Sequence, residues 1–260
     1  MTITTWNVNS VRLRLDGLAR LANEIRPDVI CLQEIKVANE LFPHQAIEAL
    51  GYTHQAVHGQ AGYHGVAVLS KLPIDEASPM HWCGKDDSRH LRVRISGIDL
   101  HNFYIPAGGD VPDRELNEKF GHKLDFLAEL TEWFGKGAVQ SGRAVLVGDL
   151  NIAPLETDVW SHKQLLKVVS HTPIEVERLN ALQASAGWVD AVRKVIPPDN
   201  RLYSWWSYRA KDWSTSDRGR RLDHIWVTPD LEPDIEHADV LRAARGWDRP
   251  SDHAPVTVIL

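Results

Sequence analysis

Pro27-Asp28-Val29-Ile30-Cys31-Leu32-Gln33-Glu34-Ile35-Lys36 is a continuous apolar run that breaks abruptly into polar residues. A short apolar run opened by a proline and a β-branched pair reads as a strand buried on both faces. Gln33 and Glu34 then stand at its carboxyl end. The same pattern recurs along the chain. Ile3 to Val8 reads as a strand with Asn7 and Asn9 at its end, and Gly65 to Ser70 as another. Leu91 to Ile105 reads as two strands turning at Gly97, with Tyr104 near the end. Ala144 to Val147 runs into Gly148-Asp149-Leu150-Asn151, Leu222 to Val227 contains Asp223, and Asp252-His253 precede Val256 to Leu260.

Helical periodicity fills three of the intervals: Val11 to Ile25, Asp113 to Phe134, and a stretch near Ile174 to Ala184. Strand-like sequence runs to Leu260, which predicts a C-terminus held in a sheet. Strands dominate, with helices between some of them. The expectation is a layered α/β protein with large sheets, residues 1–260 forming a single domain.

Composition narrows the function class. With 260 residues, 43% hydrophobic and 25% charged, the chain can bury a sizeable core without staples. The net charge of −6 argues against a surface that binds polyanions everywhere, but leaves room for a local basic face beside an acidic site. Cys31 and Cys83 are the only cysteines. Cys31 sits in an apolar run and reads as a buried small hydrophobe, so no disulfide framework is expected and a cytoplasmic location fits. Met1 to Trp6 carries no basic leader and no long apolar stretch, so neither a signal peptide nor a membrane span is expected.

A carboxylate at the end of a buried strand loses hydration that a metal, a cation or hydrogen bonds must replace. One such residue is usually structural. Several converge if the strand ends share one rim. Oxygen donors from Asp, Glu and Asn suit Mg²⁺ or Mn²⁺, and no His/Cys cluster has zinc spacing. A hard cation, carboxylates and a histidine together suit phosphoryl chemistry.

Between Arg201 and Arg221, Tyr203, Trp205, Trp206, Tyr208 and Trp213 alternate with Arg201, Arg209, Lys211, Arg218, Arg220 and Arg221. That interleaving offers cations to phosphates and ring faces to sugars or bases. Lys211 to Gly219 reads as an exposed loop, and Arg242, Arg245 and Arg249 predict a positive mouth near Asp252. His54, His58, His64, His81, His90 and His101 read as ordinary surface or satisfied histidines, and Gly108-Gly109 as a turn.

Pro27 to Lys36 with its Gln-Glu-x-Lys ending, Gly148-Asp-Leu-Asn-Ile-Ala-Pro154, Tyr203-Ser-Trp-Trp-Ser-Tyr-Arg209, Arg221-Leu-Asp223 and Ser251-Asp-His253 together resemble the exonuclease III family of abasic-site endonucleases, in that family's order and over nearly the whole chain. The resemblance implies a four-layer αββα sandwich of two packed, mostly antiparallel sheets flanked by helices. It implies a metal-dependent DNA-repair nuclease that cuts duplex DNA 5′ to abasic sites and trims 3′ ends. Glu34 would be the principal metal ligand, with Asn7, Asp149, Asn151, Asp252 and His253 also about the metal. Asp149 and Asn151 would orient the attacking water, His253 oriented by Asp223 would contact the phosphate, and Tyr104 would assist. Lys36, Trp205, Arg209, Arg218, Arg220 and Leu222 would line the DNA, and a monomer is expected.

The chain departs from the family at Arg220, where a bulky apolar residue usually walls the base-free sugar pocket with the positions of Trp205 and Leu222. Two other readings remain: a superfamily phosphodiesterase or phosphatase acting on another substrate, and a catalytically weak nucleic-acid-binding regulator.

Overall fold

The computed structural model describes residues 1–139, 142–210 and 212–260. Its strands are β1 Thr2–Asn7, β2 Val29–Gln33, β3 His54–His58, β4 Val66–Ser70, β5 Glu76–Trp82, β6 Lys85–Ile95, β7 Ile98–Tyr104, β8 Ala144–Asp149, β9 Val189–Asp190, β10 Trp205–Trp206, β11 Gly219–Arg220, β12 Asp223–Val227, β13 His237–Val240 and β14 Val256–Ile259. They form two six-stranded sheets, ordered β13-β14-β1-β2-β4-β3 and β5-β6-β7-β8-β12-β9, and a ribbon of β10 and β11.

Each large sheet is antiparallel except at its centre. There β1 runs parallel to β2, and β7 runs parallel to β8. Central strands carry apolar residues on both faces because both faces are covered. In β2 the period of two sends Val29 and Cys31 into the core between the sheets, while Ile30 and Leu32 point to the outer layer with Leu18 and Leu21 of the helix Leu15–Glu24. In β8 Val145 and Val147 face the inter-sheet core. Leu146 faces Phe126, Leu127 and Leu130 of the helix Glu118–Gly135 and Leu179 of the helix Pro173–Ser185. The result is the four-layer helix–sheet–sheet–helix sandwich expected from the resemblance. Cys31 lies wholly within it.

A polar seam crosses the inter-sheet core. Gln33 Nε2 on β2 donates to Asn102 Oδ1 on β7 at 2.7 Å, and Asn102 Nδ2 donates to the carbonyls of Leu32 and Ala67. Buried amides must be paired in this way, and the pairing fixes the register of one sheet on the other.

Some element boundaries differ from expectation. The helix expected from Asp113 begins at Glu118, because the Asn117 side chain caps it on Lys119 N and Asp113 closes a turn on Glu115 N. Val11–Arg14 is a 3₁₀ turn ahead of the α-helix. A short helix, Trp213–Ser216, interrupts the loop expected over Lys211 to Gly219, and Lys211 itself lies outside the described residues. His90 and His101 are not at the surface; both are fully buried and stack beside Phe103. No helix among the described residues is long and apolar enough to cross a membrane.

Candidate active site

The topology itself gathers the polar strand ends. Strands β1, β2, β7 and β8 point their carboxyl ends to one rim. The antiparallel neighbours β12 and β14 bring their amino ends to the same rim. Asn7 ends β1, Glu34 follows β2, Tyr104 ends β7, Asp149 ends β8, Asp223 begins β12, and Asp252-His253 lead into β14. In register, Asp149 stands opposite both Tyr104 and Asp223.

Backbone conformation aims several of these groups. Glu34, Lys36 and Asn151 all take left-handed φ angles of 50°, 53° and 54°. Side chains seldom adopt this region, and its cost is held in place by surrounding hydrogen bonds. Those bonds include Ile35 N to Gly65 O, Lys36 N to His64 O, and Asn151 N to Asp149 Oδ1. Gly148 has φ 140°, and a Cβ there would meet Phe103 O at 1.9 Å, so only glycine lets β8 close on β7 one residue before Asp149.

Asn7 ties the two sheets at the rim. Its Nδ2 donates to Glu34 Oε1 and to Asp149 Oδ2, each at 2.9 Å. Tyr104 OH also donates to Glu34 Oε1 at 2.9 Å, and Lys36 Nζ lies 2.8 Å from Glu34 Oε2. Burial pushes the Glu34 carboxyl upward, but Asn7 and Lys36 outweigh it and hold the group below its usual value. Burial, reinforced by the Glu34 charge, raises the Tyr104 hydroxyl well above its usual value, so it stays a donor.

The other half of the rim is a histidine–aspartate pair. His253 Nδ1 lies 2.8 Å from Asp223 Oδ2, and His253 Nε2 lies 3.7 Å from Asp149 Oδ2. Ser204 Oγ donates to Asp223 Oδ2 at 2.6 Å. Burial opposes the charge on His253, yet Asp223 and Asp149 together raise its proton affinity above the usual histidine value. Burial also raises Asp149, helped by the charges of Asp223 and Glu34 and opposed by His253. Asp149 and His253 are therefore coupled, and each holds a proton more tightly than the free side chain does.

Asp252 accepts from Asn9 Nδ2 at 3.1 Å and from Trp205 Nε1 at 3.0 Å, which positions the Trp205 ring. Asn151 Nδ2 donates to Ile105 O at 2.9 Å. Glu34, Tyr104, Asp149, Asn151, Trp205, Arg209, Arg218, Arg220, Leu222, Asp252 and His253 line one cleft of about 690 Å³. Lys36 reaches it through Glu34, and Asn7 lies fully buried beneath it.

The donor set fits a hard divalent cation. It is rich in carboxylate oxygen, Lys36 already sits against Glu34 as a cation does, and ligand atoms of Asp149, Asp223 and His253 lie within 4.8 Å of one another. His253 Nδ1 and Ser204 Oγ both engage Asp223 Oδ2, while Glu34 and Asp149 bound an oxygen-rich side of the cleft that suits the ion.

Two basic residues expected at the surface are elsewhere. Arg221 is buried and bound to Asp158 and Asp190. Arg245 is buried, its guanidinium over the rings of Tyr208 and Trp213. Arg242 pairs with Asp217. The mouth is thus less basic than expected.

Ser204, Arg89 and the Lys123–Glu175 pair escaped the sequence reading. Arg89 donates to Tyr104 O and lies 4.9 Å from its ring. Lys123 donates to Asn151 O at 2.9 Å and pairs with Glu175. Ser204 lies inside an aromatic motif already noted. The other three carry no local sequence signal.

The family model described as the endonuclease/exonuclease/phosphatase family matches residues 4–253. Exodeoxyribonuclease III of Haemophilus influenzae is 34% identical, the alignment covering 98% of each chain. Among solved structures, an AP endonuclease from Archaeoglobus fulgidus superposes with a TM-score of 0.93 at 32% identity, covering 100% of this chain and 99% of that one. A 3′ phosphatase from Neisseria bound to a product DNA hairpin superposes with a TM-score of 0.92 at 31% identity, covering 99% and 98%. The chain belongs to the endonuclease/exonuclease/phosphatase family, on its exodeoxyribonuclease III branch.

Proposed function

We propose that residues 1–260 act as a single-domain, monomeric, cytoplasmic DNA-repair nuclease that hydrolyses duplex DNA 5′ to abasic sites and processes 3′ ends with Mg²⁺ or Mn²⁺. The observation that carries this reading is the Asn7 amide joining Glu34 and Asp149 across two sheets, beside the His253–Asp223 pair.

Glu34 would hold the metal, with Asn7, Asp149, Asn151, Asp252 and His253 around it. The bound ion would neutralise charge on the phosphate and on the leaving oxygen. Asp149, whose proton affinity burial raises, orients a water and accepts its proton. Asn151 fixes the position of that water. His253, kept cationic by Asp223, donates to a phosphate oxygen, as Tyr104 does from the other side. Trp205 and Leu222 offer apolar faces to the sugar, and Lys36, Arg209, Arg218 and Arg220 offer charge to the backbone. An abasic site is easier to extrude from the duplex than a paired base, which gives one basis for selectivity.

The test uses one labelled duplex with a tetrahydrofuran abasic analogue and one with a recessed 3′ end, each with Mg²⁺ or EDTA, beside Glu34→Ala. A Mg²⁺-dependent cut at the analogue, or a 3′ ladder, that disappears in the variant is expected. Cleavage of neither by folded protein overturns the reading.

A further inference from the structure

Arg220 is a cation held in the cleft with half of its guanidinium unused. Nη1 donates to Val169 O at 2.9 Å and to Ser170 Oγ at 2.8 Å. The guanidinium carbon lies 5.2 Å from the centre of the Trp205 ring. The group therefore spans the cleft between its aromatic wall and the Val169–Ser170 segment. Nε is buried without a hydrogen-bond partner, and the hydrogen bonds the guanidinium makes among the described residues run through Nη1. Nε and Nη2 form the side-on fork by which arginine grips a carboxylate or a phosphate.

Nor does any carboxylate among the described residues lie within ion-pair distance of Arg220. Its neighbours differ: Lys36 answers Glu34, and Arg221 answers Asp158. The acid whose charge acts on Arg220, Glu175, is already claimed by Lys123. Arg220 is thus a partly buried cation with one buried unpaired nitrogen and no acid among the described residues bonded to it, a charge that an anion entering the cleft would balance. Trp205, against which Arg220 lies, bonds through its indole N–H to Asp252 and pairs by its backbone with His253. The fork is thus one ring away from the phosphate-handling end of the cleft.

We propose that Arg220 is the specificity-determining anion contact of this site, taking a phosphorylated 3′ end in preference to an internal base-free sugar. The inference rests on the nuclease reading above. A terminal phosphate carries more negative charge and one more free oxygen than a phosphodiester, and both suit the unpaired side of the guanidinium. A base-free sugar is neutral and prefers an apolar wall, which Arg220 interrupts. Release of the terminal group is the same displacement. The oxygen of water bonds to phosphorus, the bond from phosphorus to the 3′ oxygen breaks with its electron pair on that oxygen, and one proton of the water ends there, leaving a 3′-hydroxyl and inorganic phosphate.

The experiment compares parent, Arg220→Leu and Arg220→Lys on a 3′-phosphorylated hairpin and on a tetrahydrofuran duplex. Binding of the 3′-phosphorylated and 3′-hydroxyl hairpins is read in parallel by fluorescence anisotropy in EDTA. Losing a charged bidentate contact is expected to lower the ratio of 3′-phosphate removal to incision ~10–100-fold, chiefly through KM. The binding preference for the 3′-phosphorylated hairpin should vanish in Arg220→Leu and return in part in Arg220→Lys. A ratio unchanged in Arg220→Leu, or a binding preference that persists there, overturns the proposal. If Arg220→Leu fails to fold, Arg220→Lys decides, and unaltered preference and KM in it count against the role. A parent that binds with this preference but hydrolyses neither DNA overturns the nuclease reading and leaves the Arg220 contact standing.

Discussion

Asn7 Nδ2 donates to Asp149 Oδ2 at 2.9 Å, joining the end of the central strand of one sheet to the end of the central strand of the other. The same nitrogen also donates to Glu34 Oε1, so one amide holds two carboxylates at a fixed separation. Asn7→Ala removes both bonds from a buried position. Hydrogen bonds to charged groups contribute about 1.5–3 kcal/mol, which predicts a ~10–100-fold fall in kcat/KM on an abasic duplex. Asn7→Asp should be worse at neutral pH, because a third carboxylate repels the other two. Steady-state kinetics with circular dichroism as a fold control checks this, and full activity in Asn7→Ala would remove the bridge from the mechanism.

The His253–Asp223 contact at 2.8 Å predicts a coupled loss. Asp223→Asn keeps the shape but takes away the charge that keeps His253 protonated. The expected fall in kcat is ~10²–10⁴-fold, the range of a lost acid–base partner. His253→Asn should cost a similar amount, and the double variant little more, because the residues act as one unit. Ser204→Ala, which removes the 2.6 Å bond to Asp223, should cost less than either. Additive single-variant losses would mean that the two residues work independently.

The strands that position the site were legible for a physical reason. β2, β4 and β8 are buried on both faces, so each is an apolar run that ends at a polar residue, and β12 runs from Asp223 into Ile225, Trp226 and Val227; β1, β7 and β14 are mostly buried too but carry polar residues along their length, such as Thr4, Asn102 and Thr257. β3, β5 and β13 were missed, and all three are edge strands with mostly exposed or half-exposed side chains and no apolar run to find. At the site, a residue visible at a strand end, such as Glu34 or Asp149, lies where its position in the pattern indicated. Arg221 misled because its charge sits in a basic stretch, while its partners Asp158 and Asp190 are remote in sequence. Lys123 was invisible for the complementary reason. A lysine in a helix looks solvated unless the fold brings a carboxylate to it.

Lys123 and Glu175 are both fully buried and paired. Lys123 also donates to Asn151 O and Ala107 O, and Glu175 accepts from Ser170 N and from Thr172 N and Oγ1. The pair therefore braces three segments around the cleft. Breaking a buried pair from one side strands a charge and costs about 3–5 kcal/mol, whereas removing both charges is far cheaper. Lys123→Met and Glu175→Gln should each lower the urea midpoint strongly, and the double variant Lys123→Met with Glu175→Gln, whose amide oxygen can still accept from Ser170 and Thr172, should recover much of it. A double variant as unstable as the sum of the singles would mean that the ions act separately.

His90 Nε2 and His101 Nδ1 lie 3.1 Å apart in the sheet interior, and burial holds both rings below the usual histidine value, His101 at about 3. The unfolded chain takes up a proton at each near pH 6.5, whereas the folded ring of His101 stays neutral until about pH 3. The contribution of each is therefore fully present above pH 6.5 and falls away below it, for His101 down to about pH 3. Each depressed histidine is expected to lower stability by about 1.4 kcal/mol per pH unit in that window. Urea unfolding of the parent and of His101→Gln between pH 7 and pH 5, above the range where most carboxylates titrate, measures the slope. The variant should lose about one proton of it, through the linkage relation between slope and bound protons. An unchanged slope would assign the acid sensitivity of the fold to other groups.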